Sequence, residues 1–250
     1  RSQILLPLKH PHIFFGDVKA LHPPRGVLFY GPPGTGKTML ARAIAAEANV
    51  PFISLTLATL ESKFFGESSK LLSATFSLAR KLQPCVLFFD EIDGMIRRRS
   101  SSDDNHVYSF KTIFLMEMDG IRKSASDAIV ILACTNWVAH LDPAVSRRLP
   151  QRYEVKVPTE EELREILTLH MKQQDCATHV SERDKDDIIA HLQPGRTGSD
   201  IDELVRSAWS LRFKDALDSE YTQRKIAHPK TRPGDLKRLV GGVRKKHFFQ

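Results

Sequence analysis

Short apolar runs alternate with helical segments along the first 157 residues of this 250-residue chain. Four runs are almost uninterrupted by polar residues, which is typical of parallel strands that are covered by helices on both faces. These four, and a fifth that is less apolar, are Val27–Tyr30, Phe52–Leu55, Val86–Phe89, Ile129–Cys134 and Tyr153–Val157. Helices are expected between them, at Lys37–Ala48 and Ser68–Leu82. The alternation predicts an α/β fold of three layers with a parallel five-stranded sheet.

The pattern changes after residue 157. Thr159 and Glu162 have the spacing of a capping box, and an apolar stripe at helical spacing follows them. Further helices are expected at about Asp184–Leu192, at Gly198–Leu217 and from Gly234, without a convincing strand. We therefore predict two domains, a large α/β domain at 1–157 and a small α-helical domain at 158–250.

Composition excludes several classes of protein. With 41% hydrophobic and 27% charged residues, the chain is neither collagen-like nor intrinsically disordered, and its apolar runs are too short for a membrane helix. The net charge of +7 would be compatible with nucleic-acid binding. However, the densest basic stretch, 224–246, has no zinc-ligand pattern and few aromatic residues. A solvated tail or surface helix is the preferred interpretation, so no nucleic-acid partner is predicted. Two of the three cysteines, Cys85 and Cys134, lie in or beside apolar runs, which favours buried thiols. A reducing, cytosolic compartment is therefore expected.

A glycine-rich motif between the first strand and the first sheet helix predicts a phosphate site. The segment reads GPPGTGKT, which fits the P-loop pattern of Gly, four residues, and Gly-Lys-Ser/Thr. Such a loop turns backbone N–H groups and a helix N-terminus toward phosphates. The lysine would reach the β- and γ-phosphates, and the threonine hydroxyl would bind Mg²⁺. The predicted nucleotide contacts here are Gly31, Pro32, Pro33, Gly34, Thr35, Gly36, Lys37, Thr38 and Met39.

Polar residues at the ends of two later strands extend this prediction. Asp90 and Glu91 follow Val86–Phe89, at the strand end where ligands bind on open parallel sheets. Asp90 suits Mg²⁺, and Glu91 could polarise a water for attack on the γ-phosphate. Asn136 follows Ile129–Cys134 and could hold that water through its amide, although an isolated Asn there would be a turn residue.

Two adjacent arginines, Arg147 and Arg148, are candidates for arginine fingers. An isolated pair of this kind is usually a solvated surface, but a nucleotide hydrolase needs cations that stabilise the charge of the transition state. If the fingers act in trans, the active site spans two subunits and activity requires assembly.

Together these residues resemble an AAA ATPase over nearly the whole chain, and within that family the meiotic clade, which includes katanin and spastin. The resemblance implies that Asn136 is the first sensor and that Met118–Gly120 is an intersubunit segment. It also implies that Gly198 and Ser199 approach the nucleotide from a helical lid. ATP and Mg²⁺ are the implied substrate and cofactor, and a homo-hexamer the active form.

Two segments are most similar to the branch of the clade that extracts tail-anchored proteins from mitochondrial and peroxisomal outer membranes. They are Ser77–Cys85 and Arg147–Arg152, where Leu-Pro follows the arginines. The resemblance implies an unfoldase on the cytosolic side of such a membrane. Its clients would be tail-anchored proteins that pass through the hexamer pore, gripped by Lys63, Phe64 and Phe65. Membrane contact would come from a segment that this chain lacks.

Two other functions stay open. One is a microtubule-severing or filament-disassembling ATPase of the same clade, which the basic balance would suit because tubulin tails are acidic. The other is an adaptor that binds ATP without hydrolysing it, although such a protein needs few of the residues above.

Trp137 departs from the family, which carries a small, polar or basic residue after the sensor Asn.

Overall fold

A computed structural model describes residues 2–15, 23–56, 67–96, 105–173, 180–192, 194–217 and 243–249. The chain divides into two compact units, Arg1–Lys156 and Val157–Gln250. The predicted pore-loop residues Lys63, Phe64 and Phe65 lie outside the described ranges, as does the predicted basic helix from Gly234 apart from its last residues. Within those ranges, no helix combines the length and the apolar content needed to cross a bilayer.

Five parallel strands form the sheet of the first unit. They are β1 Gly26–Tyr30, β2 Phe52–Leu55, β3 Cys85–Phe89, β4 Ile129–Thr135 and β5 Gln151–Glu154. Their order across the sheet is β2-β3-β4-β1-β5, with every neighbouring pair parallel. The predicted α/β fold with a parallel five-stranded sheet is confirmed.

The helices of the first unit connect these strands or precede them. Their bounds are α1 Ser2–Lys9, α2 Pro11–Phe14, α3 Lys37–Ala48, α4 Glu67–Leu82, α5 Ile92–Met95, α6 Asn105–Lys123 and α7 Pro143–Ser146. A single 3₁₀ turn, Val138–His140, follows β4 in the described part of this unit.

Alternate residues of each central strand belong to different buried clusters, one on each face of the sheet. One cluster joins the sheet to α4 and α6, and the other joins it to α1 and α3. The first includes Leu28, Leu87, Ile131, Phe76 and Phe114, and the second includes Val27, Val86, Val130, Ile44 and Leu5. Because both faces are covered, nearly every position of a central strand is apolar. This explains the unbroken runs in the sequence.

The edge strand β5 lies earlier in the chain than predicted. The apolar pattern predicted Tyr153–Val157, whereas the strand is Gln151–Glu154. Its bounds follow from its pairing with β1, in which Val27 lies opposite Gln151 and Tyr30 opposite Glu154. Since this edge strand is only partly buried, pairing geometry rather than apolar content determines where it begins.

The second unit is helical in its described parts. Its helices are α8 Glu160–Gln173, α9 Glu182–Ala190 and α10 Gly198–Leu217, and a 3₁₀ turn spans Lys245–Phe248. They enclose a separate apolar cluster that includes Leu163, Leu167, Met171, Ile188, Ile201 and Val205. The predicted capping box is present, because Thr159 N donates to Glu162 Oε2 at 2.8 Å and Glu162 N donates to Thr159 Oγ1 at 3.3 Å.

Candidate functional site

The glycine-rich loop between β1 and α3 has a backbone conformation that only glycine adopts readily. Gly31, Gly34 and Gly36 have φ values of 145°, 75° and 90°. A Cβ atom on Gly31 would also collide with the carbonyl oxygen of Val155. Gly36 stands at the N-cap of α3 and has no side chain that could cap the helix. The first N–H groups of α3 therefore keep their capacity to bind an anion.

Lys37 holds a positive charge against this loop. Lys37 is only 8% exposed. Its Nζ donates to the carbonyl oxygens of Gly31 at 2.9 Å and of Pro32 at 2.6 Å. Burial lowers the pKa of Lys37, while the nearby carboxylates Asp90 and Asp93 act in the opposite direction. A phosphate beside Lys37 would stabilise the charge that burial opposes.

Thr38 and Asp90 meet although 52 residues separate them. Thr38 Oγ1 donates to Asp90 Oδ2 at 2.8 Å, and Asp90 Oδ1 accepts from the backbone N–H of Glu91 at 3.1 Å. A hydroxyl and a carboxylate are hard oxygen ligands of the type that Mg²⁺ binds together with substrate phosphates. These two residues therefore fit the predicted magnesium site.

Glu91 is exposed beside this pair and has a left-handed backbone, with φ of 49°. A positive φ is uncommon outside glycine and marks a position where the surrounding structure holds the backbone. The carboxylate of Glu91 is accessible to solvent, as a residue that acts on water requires.

A threonine hydroxyl joins the acidic loop to the segment that carries Asn136. Thr135 Oγ1 donates to Asp93 Oδ1 at 2.6 Å and accepts from Trp137 N at 3.0 Å. These bonds hold the backbone on both sides of Asn136, which is half-buried. Sequence reasoning assigned no role to Asp93, although its position three residues after Asp90 was a signal.

The strand order brings these loops to one edge of the sheet. Because β1, β4 and β3 are parallel neighbours, the segments that follow them emerge on the same side. The structure thus brings together the predicted glycine loop, Asp90, Glu91 and Asn136. The first helical turn of α3 leaves Met39 exposed at 71%.

The two arginines differ in their surroundings. Arg148 forms a bidentate hydrogen bond with Asp119: Nε donates to Oδ1 at 2.9 Å and NH2 donates to Oδ2 at 2.7 Å. Arg148 also donates to Ala144 O at 2.9 Å. This hydrogen bond from Arg148 lowers the pKa of Asp119. Arg147 is exposed, and among the described residues its guanidinium has no hydrogen-bond or ion-pair partner. The sequence did not distinguish the two.

The helix that presents these arginines is anchored at its start. Asp142 is the N-cap of α7 and accepts from Ala144 N at 2.7 Å. Its carboxylate also forms a salt bridge with Lys111 of α6. Burial acts to raise the pKa of Asp142, but the hydrogen bonds from Lys111 and Ala144 outweigh it and keep the pKa below its ordinary value.

Gly198 and Ser199 lie in the second unit, at the start of α10. The preceding Thr197 is bound to Asp200, through its backbone N–H at 2.7 Å and its hydroxyl at 2.8 Å. Gly198 is half-buried and Ser199 exposed. Their contact with a nucleotide stays a prediction.

Comparison with known proteins gives consistent matches. Residues 27–157 match the profile of the "ATPase family associated with various cellular activities (AAA)". A zebrafish (Danio rerio) protein named outer mitochondrial transmembrane helix translocase is 38% identical over 98% of this chain and 66% of its own length. The Homo sapiens protein of that name is 39% identical over 88% of this chain and 59% of its own length.

Two further matches carry other names. Spastin of Sus scrofa is 38% identical over 82% of this chain and 32% of its own length. The crystal structure of the FIGL-1 AAA domain in complex with ADP superposes with a TM-score of 0.79, at 30% identity over 99% of this chain and 77% of that one. The chain thus spans less than two thirds of the length of the curated relatives it matches.

Proposed function

Because the chain belongs to the AAA family of ATPases, we propose that its site binds ATP with Mg²⁺ and hydrolyses it. The observation that carries this proposal is the 2.8 Å hydrogen bond between Thr38 and Asp90. It joins the end of the glycine-rich loop to the acidic strand end. The proposed phosphate cradle would then lie beside a hydroxyl and a carboxylate of the type that binds magnesium. A glycine turn with a purely structural role would not require that contact.

Each residue near the loop has a distinct role in the proposal. Backbone N–H groups of the loop and the Lys37 ammonium bind the β- and γ-phosphates. Thr38 and Asp90 would hold the magnesium ion, which when bound neutralises charge on the phosphates. The buried position of Lys37 makes its interaction with phosphate stronger than it would be in water.

Glu91 and Asn136 act on the water. Glu91 accepts a proton as the water oxygen bonds to the γ-phosphorus, and Asn136 orients that water through its side-chain amide. The bond between the γ-phosphorus and the bridging oxygen breaks, so ADP and inorganic phosphate are the products. Both residues follow neighbouring strands, and the hydrogen bonds of Thr135 limit the freedom of the segment around Asn136.

A substitution of Glu91 tests this assignment. We expect Glu91→Gln to bind ATP as tightly as the wild type and to lose turnover by about 100-fold or more, because the amide cannot accept the proton. Glu165→Gln, on the exposed face of α8, is the matched control and should keep wild-type turnover. Phosphate release and equilibrium binding of labelled ATP provide the two readouts. Undiminished turnover of Glu91→Gln would refute the mechanism.

Arg147 is the proposed arginine finger, supplied by an adjacent subunit. Its guanidinium is exposed, whereas that of Arg148 is held by Asp119. Arg148 then acts as a positioning residue that fixes the turn after α7. A finger supplied in trans is worth about 10³–10⁵ in rate.

Mixing two inactive variants tests for action in trans. In a mixed assembly, an Arg147→Ala subunit can supply Glu91 while its Glu91→Gln neighbour supplies Arg147. The site between these two subunits is then intact. Mixed assemblies should therefore recover part of the lost turnover. If Arg147 acts within its own subunit, the mixture stays inactive at every ratio.

The proposed biological activity is extraction of tail-anchored membrane proteins at the cytosolic face of the outer mitochondrial membrane or of a peroxisome-like organelle. The names of the translocase relatives support this proposal. A homo-hexamer would thread the client through its pore, with Lys63, Phe64 and Phe65 gripping the extended chain.

A second candidate is severing or disassembly of filaments, which the 38% identity to spastin supports. The two candidates differ in the ligand that stimulates turnover. Tail-anchored proteins in liposomes should stimulate an extractase, whereas tubulin polymers should stimulate a severing enzyme. Stimulation by tubulin alone would decide against extraction.

A further inference from the structure

An exposed aromatic pair stands directly after Asn136. Trp137 is 62% exposed, and its indole stacks on the His140 imidazole with ring centroids 5.6 Å apart and ring planes 17° apart. Two stacked rings at the surface form a flat face that is available for a contact.

Hydrogen bonds fix the pair in place. Trp137 N donates to Thr135 Oγ1 at 3.0 Å, and that hydroxyl donates to Asp93 Oδ1 at 2.6 Å. His140 N donates to Trp137 O at 3.0 Å within the 3₁₀ turn. The aromatic face is therefore connected to the loop that carries Glu91, and it does not depend on a flexible segment.

The chemistry of this surface favours a planar cation. A guanidinium stacks well on tryptophan while its edge N–H groups remain free to donate elsewhere. The exposed carboxylate of Glu91 belongs to the adjoining loop and would add attraction for positive charge. A phosphate beside the loop could accept from the edge of the same guanidinium.

Arg147 offers such a cation on a rigid support. Its guanidinium is exposed without a partner among the described residues. Around it, α7 is capped by Asp142, and the next residue, Arg148, is bound to Asp119. Arg147 and the aromatic face are formed by different residues, so a contact between them from copy to copy is head-to-tail and can close a ring.

We propose that the Trp137–His140 face receives the Arg147 guanidinium of the next copy of this chain. Stacking would hold the arginine extended toward the γ-phosphate, which makes Trp137 a positioning residue. This inference rests on the proposed function, because it requires the finger to come from a neighbouring subunit.

The chain has two tryptophans, which allows a direct test. Trp209→Phe leaves Trp137 as the sole indole, and Glu91→Gln keeps ATP bound. In that double variant with Mg²⁺ and ATP, the emission of Trp137 and the sedimentation coefficient are measured over rising protein concentration. We expect the emission to change as oligomers form, and Arg147→Ala to abolish that change.

Several results would overturn the proposal: oligomers without a change in emission, an equal change with Arg147→Ala, a change that requires added polypeptide, or a protein that stays monomeric. The proposed function is judged separately, from wild-type phosphate release and its loss in Glu91→Gln. An active wild type with unchanged Trp137 emission would refute only the stacking.

A second measurement uses association strength. Trp137→Ala should weaken subunit association about 2- to 30-fold, the range expected for a cation–π contact. Trp137→Phe keeps an aromatic face and should lose less. In an Arg147→Ala background, Trp137→Ala should cause no further loss. Equal losses with and without Arg147 would contradict the pairing, and thermal unfolding checks that each variant is folded.

Discussion

A methyl group on Gly31 should damage the first unit more than a methyl group on Gly36. Both glycines lie in the phosphate loop with positive φ, 145° and 90°. They differ in surroundings, because a Cβ on Gly31 collides with the Val155 carbonyl oxygen whereas a Cβ on Gly36 meets nothing within 4 Å. Gly36→Ala is therefore a control for backbone strain alone.

The expected magnitudes follow from these two terms. A non-glycine residue in such a region costs about 1–3 kcal/mol in strain, and this applies to both variants. Overpacking that displaces backbone costs about 1–3 kcal/mol more, and this applies to Gly31→Ala only. Val155 cannot move freely, since its N–H donates to Tyr30 O at 2.7 Å and continues the pairing of β5 with β1. Gly31→Ala should thus lower the free energy of unfolding by about 2–6 kcal/mol.

Urea unfolding followed by tryptophan emission measures this difference. The chain divides into two units with one tryptophan in each, so Trp209→Phe confines the signal to the first unit, where Trp137 lies. Both glycine variants are compared in that background, and their midpoints are converted to free energies with a common slope. Equal destabilisation of Gly31→Ala and Gly36→Ala would refute the collision with Val155.

Three further outcomes are expected. Asp119→Asn should lower stability by about 1 kcal/mol at pH 7. Arg148 lowers the pKa of Asp119 in the folded protein. The stability from this ion pair is therefore fully present above the ordinary carboxylate pKa and is lost as the pH falls through the lowered pKa of Asp119. The urea midpoints of the variant and the wild type should converge in acid. Thr38→Ala should weaken ATP binding more in the presence of Mg²⁺ than in its absence, and Thr38→Ser, which keeps the hydroxyl, should bind as the wild type does in both conditions. Equal weakening by Thr38→Ala with and without Mg²⁺ would argue against a magnesium ligand. Thr135→Val leaves Asp93 without its donor, so we expect about 1–3 kcal/mol of lost stability by the same unfolding assay and slower phosphate release.

The sheet and its phosphate loop were predictable because local sequence determines them. Positions on both faces of a covered strand must be apolar, and only glycine tolerates the backbone of the loop, so both features appear directly in the sequence. The prediction for α3, Lys37–Ala48, matches its bounds. Helix α6, Asn105–Lys123, was not predicted, although its buried residues Phe110, Phe114, Met118 and Ile121 recur at helical spacing.

Contacts between distant segments were not predictable in the same way. Nothing in the local pattern says that Arg148, rather than Arg147, binds Asp119, because the two arginines are adjacent and chemically identical. The choice depends on the direction in which each side chain leaves the turn after α7. Likewise, the bond between Thr135 and Asp93 exists only because β3 and β4 are neighbours in the sheet.

The position of Lys37 explains why the site should select phosphate over a neutral ligand. Its Nζ already donates to two backbone carbonyls, so an uncharged acceptor would replace one bond from the ammonium to a neutral oxygen with another and gain little. A phosphate oxygen carries negative charge and therefore adds a charge–charge attraction to the hydrogen bond, which is stronger at a buried ammonium than in water. Burial lowers the pKa of Lys37 because it disfavours the ammonium, and a bound anion relieves that penalty. The loop and its lysine therefore favour an anionic ligand by themselves.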